Sequence, residues 1–392
     1  ITDGTVYYAV NRCETVSADA GNAGGIVAEN HALIKNCNNY GNVSSSDGYA
    51  GGITAANEGT LQLCRVNSNS QTAGTVEIYS RGEEVGGAVT ATNTGTVTDC
   101  YPGKNVLLRG DATSFGGIVG ENTGIVTSSG AKNEAITGTA YYLTNVPQIQ
   151  SQKTNLTVGG VAGINMGTIS DIVAQNLSFA DFSGYRYLGG IAGSNGISVN
   201  VNQQNDSDAI RVTGCMFSGT IREKVNTGEA GNCYGGIVGI NYAALSQNIV
   251  SQISMDIQGV YTAASTSTAT QKETMASHAG GIAGKNETNA RIDHCTLTDN
   301  SKSILQAKFG MLGGVTGFNK GLIEMSGSSA TAEIMTAENM KNVETLVEAA
   351  HDARKGNLSS DENPVEWYDG GADYQIENSV YENTEPRSRQ IA

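Results

Sequence analysis

The amino-acid sequence predicts an all-β protein: a parallel β-helix (solenoid) of about nine to ten coils with a short C-terminal helical cap. One observation behind this prediction is a glycine-asparagine unit that recurs along the chain. The other is composition, since 392 residues include 51 Gly, 4 Pro and only 16% charged residues. Short Val, Ile, Thr and Tyr stretches between Gly, Asn and Ser indicate brief strands joined by turns, because branched and aromatic residues suit pleated surfaces.

The recurring unit has seven residues, beginning with glycine and ending with asparagine, as in GGIVGEN at 116–122. Self-similarity of this kind is the sequence signature of a repeat architecture. All nine copies carry asparagine at the seventh position, and these residues are Asn30, Asn57, Asn93, Asn122, Asn165, Asn195, Asn241, Asn286 and Asn319.

Successive copies start 27 to 46 residues apart. The shortest interval accommodates three short strands and three turns, so one repeat is predicted to form one coil. A single coil has too little apolar surface to fold alone, but stacking coils about 4.8 Å apart pairs their strands and builds a continuous interior. Nine or ten coils then form a rod about 45 Å long.

The glycines and the asparagine of the unit have predicted structural roles. Paired glycines suit a tight bend or a close backbone approach that excludes a side chain. The asparagine is predicted to lie directly above its copies, in an amide ladder that also satisfies turn backbone groups. This structural interpretation is favoured over a role in ligand binding.

Six of the seven cysteines lie three positions after an aliphatic residue, in Val10-Cys13, Ile34-Cys37, Leu61-Cys64, Val97-Cys100, Val212-Cys215 and Ile292-Cys295. The first pair indicates that residues 1–13 are the tail of a truncated copy. The shared slot predicts parallel side chains in the interior, where cysteine behaves as a small buried hydrophobe, so reduced structural thiols are expected. Cys233 is off the pattern, which makes Cys215–Cys233 the first candidate pair if any disulfide forms. The sequence contains no Cys-x-x-Cys motif, so zinc binding is not expected.

The repeats resemble a known family on segments such as GGIVGENTGIV at 116–126 and GGITAANEGTLQLC at 51–64. These are similar to the GLUG-motif repeats of large surface proteins of Gram-positive and gut bacteria, also found in the N-terminal regions of streptococcal immunoglobulin A peptidases. The resemblance covers about residues 1–330 and implies a β-helical, surface-located, adhesin-like region. The copies at Asn30, Asn241 and Asn286 lack the downstream glycine, and Asn195 has it one place early, so their turns are expected to differ.

The chain is divided into a repeat solenoid over residues 1–330 and a helical cap with an acidic tail over 331–392. An apolar stripe that includes Ile334, Met335 and Leu346 predicts a helix over about 336–354, with Gly356 as its stop signal. A helix laid across the open end of a solenoid would cover its core and its unpaired strand edges.

Where the repeat interval lengthens, extra residues are predicted to leave the rod as loops, at about 131–157, 200–210 and 260–277. Loops on a rigid scaffold are the usual place for a binding surface. The first contains Tyr141 and Tyr142, whose rings suit stacking on sugars, although tyrosines on β surfaces more often pack across strands.

The charge balance argues against two classes of partner. The net charge is −15, and residues 331–392, with 13 acidic and 5 basic side chains, contribute −8 of it. A chain without a Lys/Arg cluster lacks the electrostatic footprint of nucleic-acid binding and is repelled by anionic lipid heads. No apolar run approaches the roughly 20 residues of a transmembrane helix. Low charge with abundant Ser, Thr, Asn and Gly predicts a secreted or bacterial cell-surface protein, and the start at Ile1 is expected of a piece of a longer protein with other domains.

A search for catalytic patterns predicts no enzyme, no cofactor and no metal site. His31, His278, His294 and His351 occur singly, without the two-histidine helix motif of zinc peptidases. Neither a Gly-x-Ser-x-Gly elbow nor a phosphate-binding loop is present. Acidic residues are sparse, the nearest groupings being Asp206 with Asp208, Asp293 beside His294, and Asp111 near Arg109.

Two functional hypotheses remain. The first is a non-enzymatic cell-surface adhesin or stalk module that presents loops to a host glycan or extracellular protein. The alternative is a carbohydrate-active β-helix enzyme, a polysaccharide lyase or hydrolase, with its cleft formed by the insertions. The two differ in whether carboxylates converge in a groove, because glycoside hydrolysis needs two facing carboxyl groups.

Overall fold

The computed structural model shows a parallel β-solenoid, which confirms the predicted fold class. The structure describes residues 4–67, 75–81, 85–128, 143–151, 153–182, 185–198, 209–223, 231–258, 277–298, 303–307, 311–324, 326–328, 333–336, 375–377 and 380–381. Within those ranges every element is a strand and every strand pairing is parallel.

Three sheets run along the whole stack, and they are called A, B and E. Sheet A, which ends each strand on the repeat asparagine, comprises Glu29–Asn30, Thr54–Asn57, Thr90–Asn93, Val119–Asn122, Ala162–Asn165, Ala192–Asn195, Val238–Asn241, Ala283–Asn286 and Thr316–Asn319. Sheet B comprises Val6–Tyr7, Leu33–Lys35, Thr60–Gln62, Thr96–Thr98, Ile125–Thr127, Thr168–Ser170, Arg211–Thr213, Ala244–Ser246, Arg291–Asp293, Leu322–Glu324 and Gln375–Glu377. Sheet E, which leads into the glycines, comprises Ala23–Gly24, Ala50–Gly51, Val85–Gly87, Ser114–Gly116, Leu156–Gly159, Tyr185–Gly189, Cys233–Gly235, His278–Gly280 and Met311–Gly313.

The fourth side of the solenoid is built in two different ways. In the N-terminal coils it consists of sheet C, with Val10–Asn11, Asn38–Asn39, Arg65–Val66 and Tyr101–Pro102, and sheet D, with Thr15–Ala18, Asn42–Ser45, Val76–Ser80, Val106–Gly110 and Gln148–Ser151. In the C-terminal coils one sheet F replaces both, with Val173–Phe182, Met216–Glu223, Ile249–Ile257, Thr296–Thr298, Ile304–Ala307, Gly327–Ser328, Glu333–Thr336 and Val380–Tyr381.

The prediction of three strands per coil is therefore wrong. An N-terminal coil passes through five short strands, in the order A, B, C, D and E, and the prediction did not foresee the corner after sheet B. A single residue with left-handed backbone turns the chain there, as at Asn36, Leu63 and Asp99, with φ of 56°, 56° and 54°. One such residue bends a strand without a loop, so more strands fit into the same length.

The core is a set of columns that run along the stack. The middle residue of each described sheet B strand from the second to the tenth points inward and is buried, and this column is Ile34, Leu61, Val97, Val126, Ile169, Val212, Leu245, Ile292 and Ile323. In sheet D burial alternates along the strand, as in Val76–Ser80. Eleven strands in sheet B correspond to a stack about 48 Å long at the usual strand spacing.

The asparagine ladder is confirmed. From Asn30 to Asn319 each Nδ2 donates to Oδ1 of the next copy, over 2.7 to 2.9 Å in all eight steps. All nine side chains are at most 1% exposed. The same amides bind their own turns, as where Asn165 donates to the Gly167 carbonyl at 2.9 Å and accepts from the Gly167 amide at 3.3 Å.

The glycines of the unit are also explained. A Cβ on the first glycine, for example Gly116, would lie 1.7 Å from the Val119 carbonyl oxygen of its own turn. A Cβ on the second, Gly117, would lie 2.1 Å from the Gly160 carbonyl oxygen of the next coil. The first glycine therefore allows the tight bend and the second allows the close stacking of bends.

The first coil has a different register from the one predicted. Val6, and not Val10, is level with Ile34, and Val10 is level with Asn38. Residues 6–11 do continue the stack as part of a further copy, but Ala9 and not Cys13 takes the slot of Cys37. Cys13 is exposed.

The C-terminal prediction is corrected at one point. Ile334 and Met335 lie in the strand Glu333–Thr336, which pairs in parallel with Ile304–Ala307, and not in a helix. Residues 337–354 of the predicted helix lie outside the described residues. The Gln375–Glu377 and Val380–Tyr381 strands pair with sheets B and F, so strands beyond residue 330 join the solenoid, while the division into two domains stays a prediction.

Candidate functional site

The cysteines form an interior slot directly after the left-handed corner, as predicted for five of the six. The described slot holds Ala9, Cys37, Cys64, Cys100, Ile172, Cys215, Asn248, Cys295 and Ser326. Cys37, Cys64 and Cys100 belong to neighbouring coils, and the Cys64 amide donates to Cys100 Sγ at 3.3 Å. All seven cysteines are free thiols, including Cys215 and Cys233.

The buried thiols are held in their neutral form. The hydrogen bond between Cys37 and Cys64, with burial, raises the pKa of Cys37 far above its usual range. Burial raises the pKa of Cys215 and Cys233 to about 12, and that of Cys295 to about 11. Because the thiolate is the nucleophile, these residues are packing groups and not reactive ones.

We expect iodoacetamide at pH 8 to modify Cys13 alone in the folded protein. Cys13 is exposed and the other six cysteines are buried. At that pH a thiol with a pKa of about 11 is ionised in only about one molecule in a thousand. Intact-mass spectrometry before and after denaturation in guanidinium checks this, with one alkyl group expected in the native state and seven after unfolding. A second alkyl group on the native chain contradicts the buried slot.

The charged groups that the sequence singled out are engaged in ion pairs. Arg291 Nη2 lies 3.2 Å from Asp293 Oδ2 and 2.8 Å from Glu324 Oε2, and His294 Nδ1 lies 2.6 Å from Asp293 Oδ1. Arg291, Asp293 and Glu324 belong to sheet B strands, and His294 is the left-handed corner residue that follows Asp293.

Two further groupings were also singled out. Arg109 pairs with Glu77 of the neighbouring coil at 3.2 Å. Asp206 and Asp208 lie outside the described residues. Among the residues that are described, no group of three or more His, Cys, Asp or Glu is arranged to hold a metal ion.

A concave site lies where the two forms of the fourth side meet. Gln148–Ser151 is the last strand of sheet D, and Val173–Phe182, in the next coil, is the first strand of sheet F. Between them is a groove of about 610 Å³. The prediction that residues 131–157 leave the rod as a loop is thus wrong for its second half, because Gln148–Ser151 and Leu156–Gly159 are walls of the solenoid.

The other predicted loops fall mainly outside the described residues, as do Tyr141 and Tyr142. Ser277, at the end of the predicted loop 260–277, is described and buried. Ile210, at the end of the predicted loop 200–210, is also described and buried.

The groove has an apolar floor and a polar rim. The floor is formed by Val146, Ile149, Leu156, Phe179 and Tyr185, of which Leu156 and Phe179 are buried. The rim carries Gln148, Gln150, Ser151, Lys153 and Ser178. Lys153 is the one charged side chain among the described lining residues.

Sequence reasoning missed this groove because it arises from a change of pairing and not from a motif. The signal available was the 43-residue interval between Gly116 and Gly159.

The fold and its ladders define the chain as a parallel β-solenoid repeat protein. A family model described as the GLUG motif matches residues 275–301, so the chain carries a GLUG motif in the copy that ends on Asn286. No curated protein and no solved structure matches the chain. Among the described residues, none forms a helix of the length and apolarity needed to cross a bilayer.

Proposed function

We propose that this chain is a non-enzymatic binding module of a secreted or cell-surface bacterial protein, which holds a recognition surface for a host glycan or extracellular protein on a stiff rod. The GLUG motif at 275–301 is typical of extracellular repeat regions and supports this setting. The continuous amide ladder and three uninterrupted sheets support the role of the rod as a scaffold.

The groove between sheets D and F carries the proposal. Its floor is apolar, its rim is amide and hydroxyl with one ammonium group, that of Lys153, and its described lining includes no Asp or Glu. A polysaccharide lyase or hydrolase at this place would need convergent acid and base groups, and retaining or inverting hydrolysis needs two carboxyl groups about 5 to 10 Å apart. The composition of this groove suits binding, since most ligand sites are apolar with a few placed polar groups.

The acidic residues on sheet B support the same proposal. Asp293 is shared between Arg291 and His294, and Glu324 binds Arg291. The Arg291 and His294 side chains are both 50% exposed, so this network lies at the protein surface. These carboxylates are better explained as a surface ion-pair network than as an acid and base pair.

Binding and turnover can be measured on the same ligands. The chain, labelled at Cys13, is applied to arrays of glycans and extracellular matrix proteins, with excess unlabelled chain as competitor, and reducing-sugar release is assayed on the matching polysaccharides. We expect competable binding without product. Release of product overturns the non-enzymatic proposal. Absence of both binding and product overturns the recognition role and leaves a passive spacer.

A further inference from the structure

We infer that the groove between Gln148–Ser151 and Val173–Phe182 binds an extended polypeptide segment, which adds one β-strand to the wall of the solenoid. This inference rests on the proposed binding function and names the class of partner, a protein segment and not a glycan.

The first argument is the backbone on either side of the groove. Gln148–Ser151 pairs with Val106–Gly110 on one side and, among the strands that the structure describes, is the end of its sheet on the other. Val173–Phe182 pairs with Met216–Glu223 and is likewise the end of its sheet. At the edge of a sheet every second residue directs its amide and carbonyl outward. Two such edges therefore face the groove, and an extended peptide supplies the matching donors and acceptors.

The groove has a defined length because the same two coils are joined at both of its ends. At one end Leu143 pairs with Ala174, through bonds of 2.9 Å from the Leu143 amide to Val173 and from the Gln175 amide to Leu143. At the other end Leu156 is level with Tyr185. The opening thus spans residues 146–151, which matches a strand of about four to six residues at 3.3 Å per residue.

The opening has a local cause in the Val173–Phe182 strand. Its register against Met216–Glu223 shifts between Ala174 and Leu177, and Asn176 within the shift has φ of 54°. Such a bulge bends the strand that carries it. The strand is bridged to Leu143 of the preceding coil at Ala174, and beyond the bulge its described residues have no pairing with Gln148–Ser151.

The second argument is the column of side chains beneath the groove. In sheet D the inward column runs Val16, Val43, Ile78, Leu108 and Ile149. In sheet F an inward column begins at Phe179 and continues through Ile221 and Met255. Ile149 and Phe179 both line the groove. An added strand would place an apolar residue between them, while its neighbouring residues would lie beside Gln148, Gln150 and Ser178 at the rim.

These features define the sequence that fits. The segment alternates apolar and polar residues, because one face is covered by the floor and the other meets the amide rim. Lys153 is the one charge among the described lining residues, so an acidic residue near the rim is favoured over a basic one. A glycan has no amides at the strand repeat and leaves the two edges unpaired.

A strand of the chain itself provides the probe. The peptide Thr-Val-Glu-Ile-Tyr-Ser, residues 75–80 blocked at both ends, has the required alternation and an acidic residue, and in the solenoid its strand is paired on both sides. The matched controls are two versions of the same peptide, one N-methylated at the odd-numbered backbone amides and the other at the even-numbered ones. Each keeps all the side chains but loses half of the hydrogen-bond donors.

Hydrogen exchange of the full chain then tests the inference. We expect the peptide to slow exchange at least tenfold for edge amides in 148–151 and 177–180, with no change in Val106–Gly110. At least one N-methylated control is expected to bind at least tenfold more weakly. No protection at 148–151 and 177–180, or equal binding of both methylated controls, overturns the inference.

A pair of variants separates the groove from general stability. Phe179→Ala removes a floor residue, whereas Phe217→Ala removes a buried phenylalanine of the same sheet that is not among the described lining residues. We expect at least tenfold weaker peptide binding for the first and less than a threefold change for the second. Equal effects of the two variants contradict a groove-specific site. The peptide measurements use no host ligand, so the two proposals can fail separately. If the arrays show binding but the peptide does not bind, this inference alone is overturned. If the peptide binds but the arrays show no binding, only the host-recognition proposal is overturned.

Discussion

Replacing Asn165 by alanine is expected to lower the free energy of unfolding by about 3 to 5 kcal/mol, since it interrupts the amide ladder at its centre. Asn165 donates to Asn195 Oδ1 at 2.8 Å and to the Arg211 carbonyl at 3.2 Å. It also accepts from Asn122 Nδ2 at 2.8 Å and closes the turn at Gly167. The Asn122, Asn165 and Asn195 side chains are fully buried, so the ladder amides that lose a bond cannot recover it from solvent.

The end of the ladder provides the matched control. Asn319 accepts from Asn286 at 2.8 Å, and its other bonds within the described part of the chain are to its own turn at Gly321. Asn319→Ala therefore breaks one step of the ladder instead of two, and about half the loss is expected. Urea unfolding followed by circular dichroism measures both variants, and hydrogen exchange shows whether the loss is confined to neighbouring coils, as expected for a solenoid. A loss below about 1 kcal/mol for Asn165→Ala contradicts a ladder that stabilises the stack.

The ladder could be predicted from sequence because its position never varies. An asparagine at the same position in nine copies must contact the equivalent asparagine of the next copy when the copies stack, whatever the path of the chain in each coil. The glycines could be explained on the same reasoning. Both predictions depend only on parallel, in-register stacking, and this is the one property that the repeat determines directly.

The number of strands per coil could not be predicted, because the corner after sheet B is made by a single residue without a glycine signature. Asn36, Leu63 and Asp99 all adopt a left-handed backbone there, and leucine is not a residue that suggests such a turn. For the same reason Cys13 was assigned to the wrong slot. Its spacing from Val10 fits the pattern, but pairing of the first coil places Val6, and not Val10, over the aliphatic column.

The candidate site could not be predicted from the sequence for a different physical reason. Repeats report what is common to all coils, whereas the groove depends on one junction between coils of different form. Whether Gln148–Ser151 and Val173–Phe182 pair or separate is decided by the bulge at Asn176 and by pairing with Met216–Glu223. Such competition between neighbouring strands has no local pattern of hydrophobicity.

Replacing Gly116 by alanine is expected to lower the free energy of unfolding by at least about 4 kcal/mol. The added Cβ would lie 1.7 Å from the Val119 carbonyl oxygen and 2.8 Å from the Gly163 amide nitrogen. Both are backbone atoms of neighbouring strands of sheet A, so no side-chain rotation relieves the overlap.

Gly86, one residue before the preceding copy of the unit and level with Phe115, separates this effect from the general result of adding a methyl group to a buried glycine. A Cβ there would meet the ring of Phe115 at 3.0 Å, and a ring can shift by a few tenths of an ångström. Gly86→Ala is thus expected to cost less than about 2 kcal/mol. Urea unfolding of both variants, with hydrogen exchange of Gly87 and Gly159 as a local measure, makes the comparison. If Gly116→Ala is as stable as Gly86→Ala, the backbone of the bend can shift to accommodate a Cβ, and the explanation of the first glycine fails. If it is much less stable, the constraint lies in the approach of one coil's bend to its own carbonyl and to the next coil, which explains why every copy keeps glycine at this position.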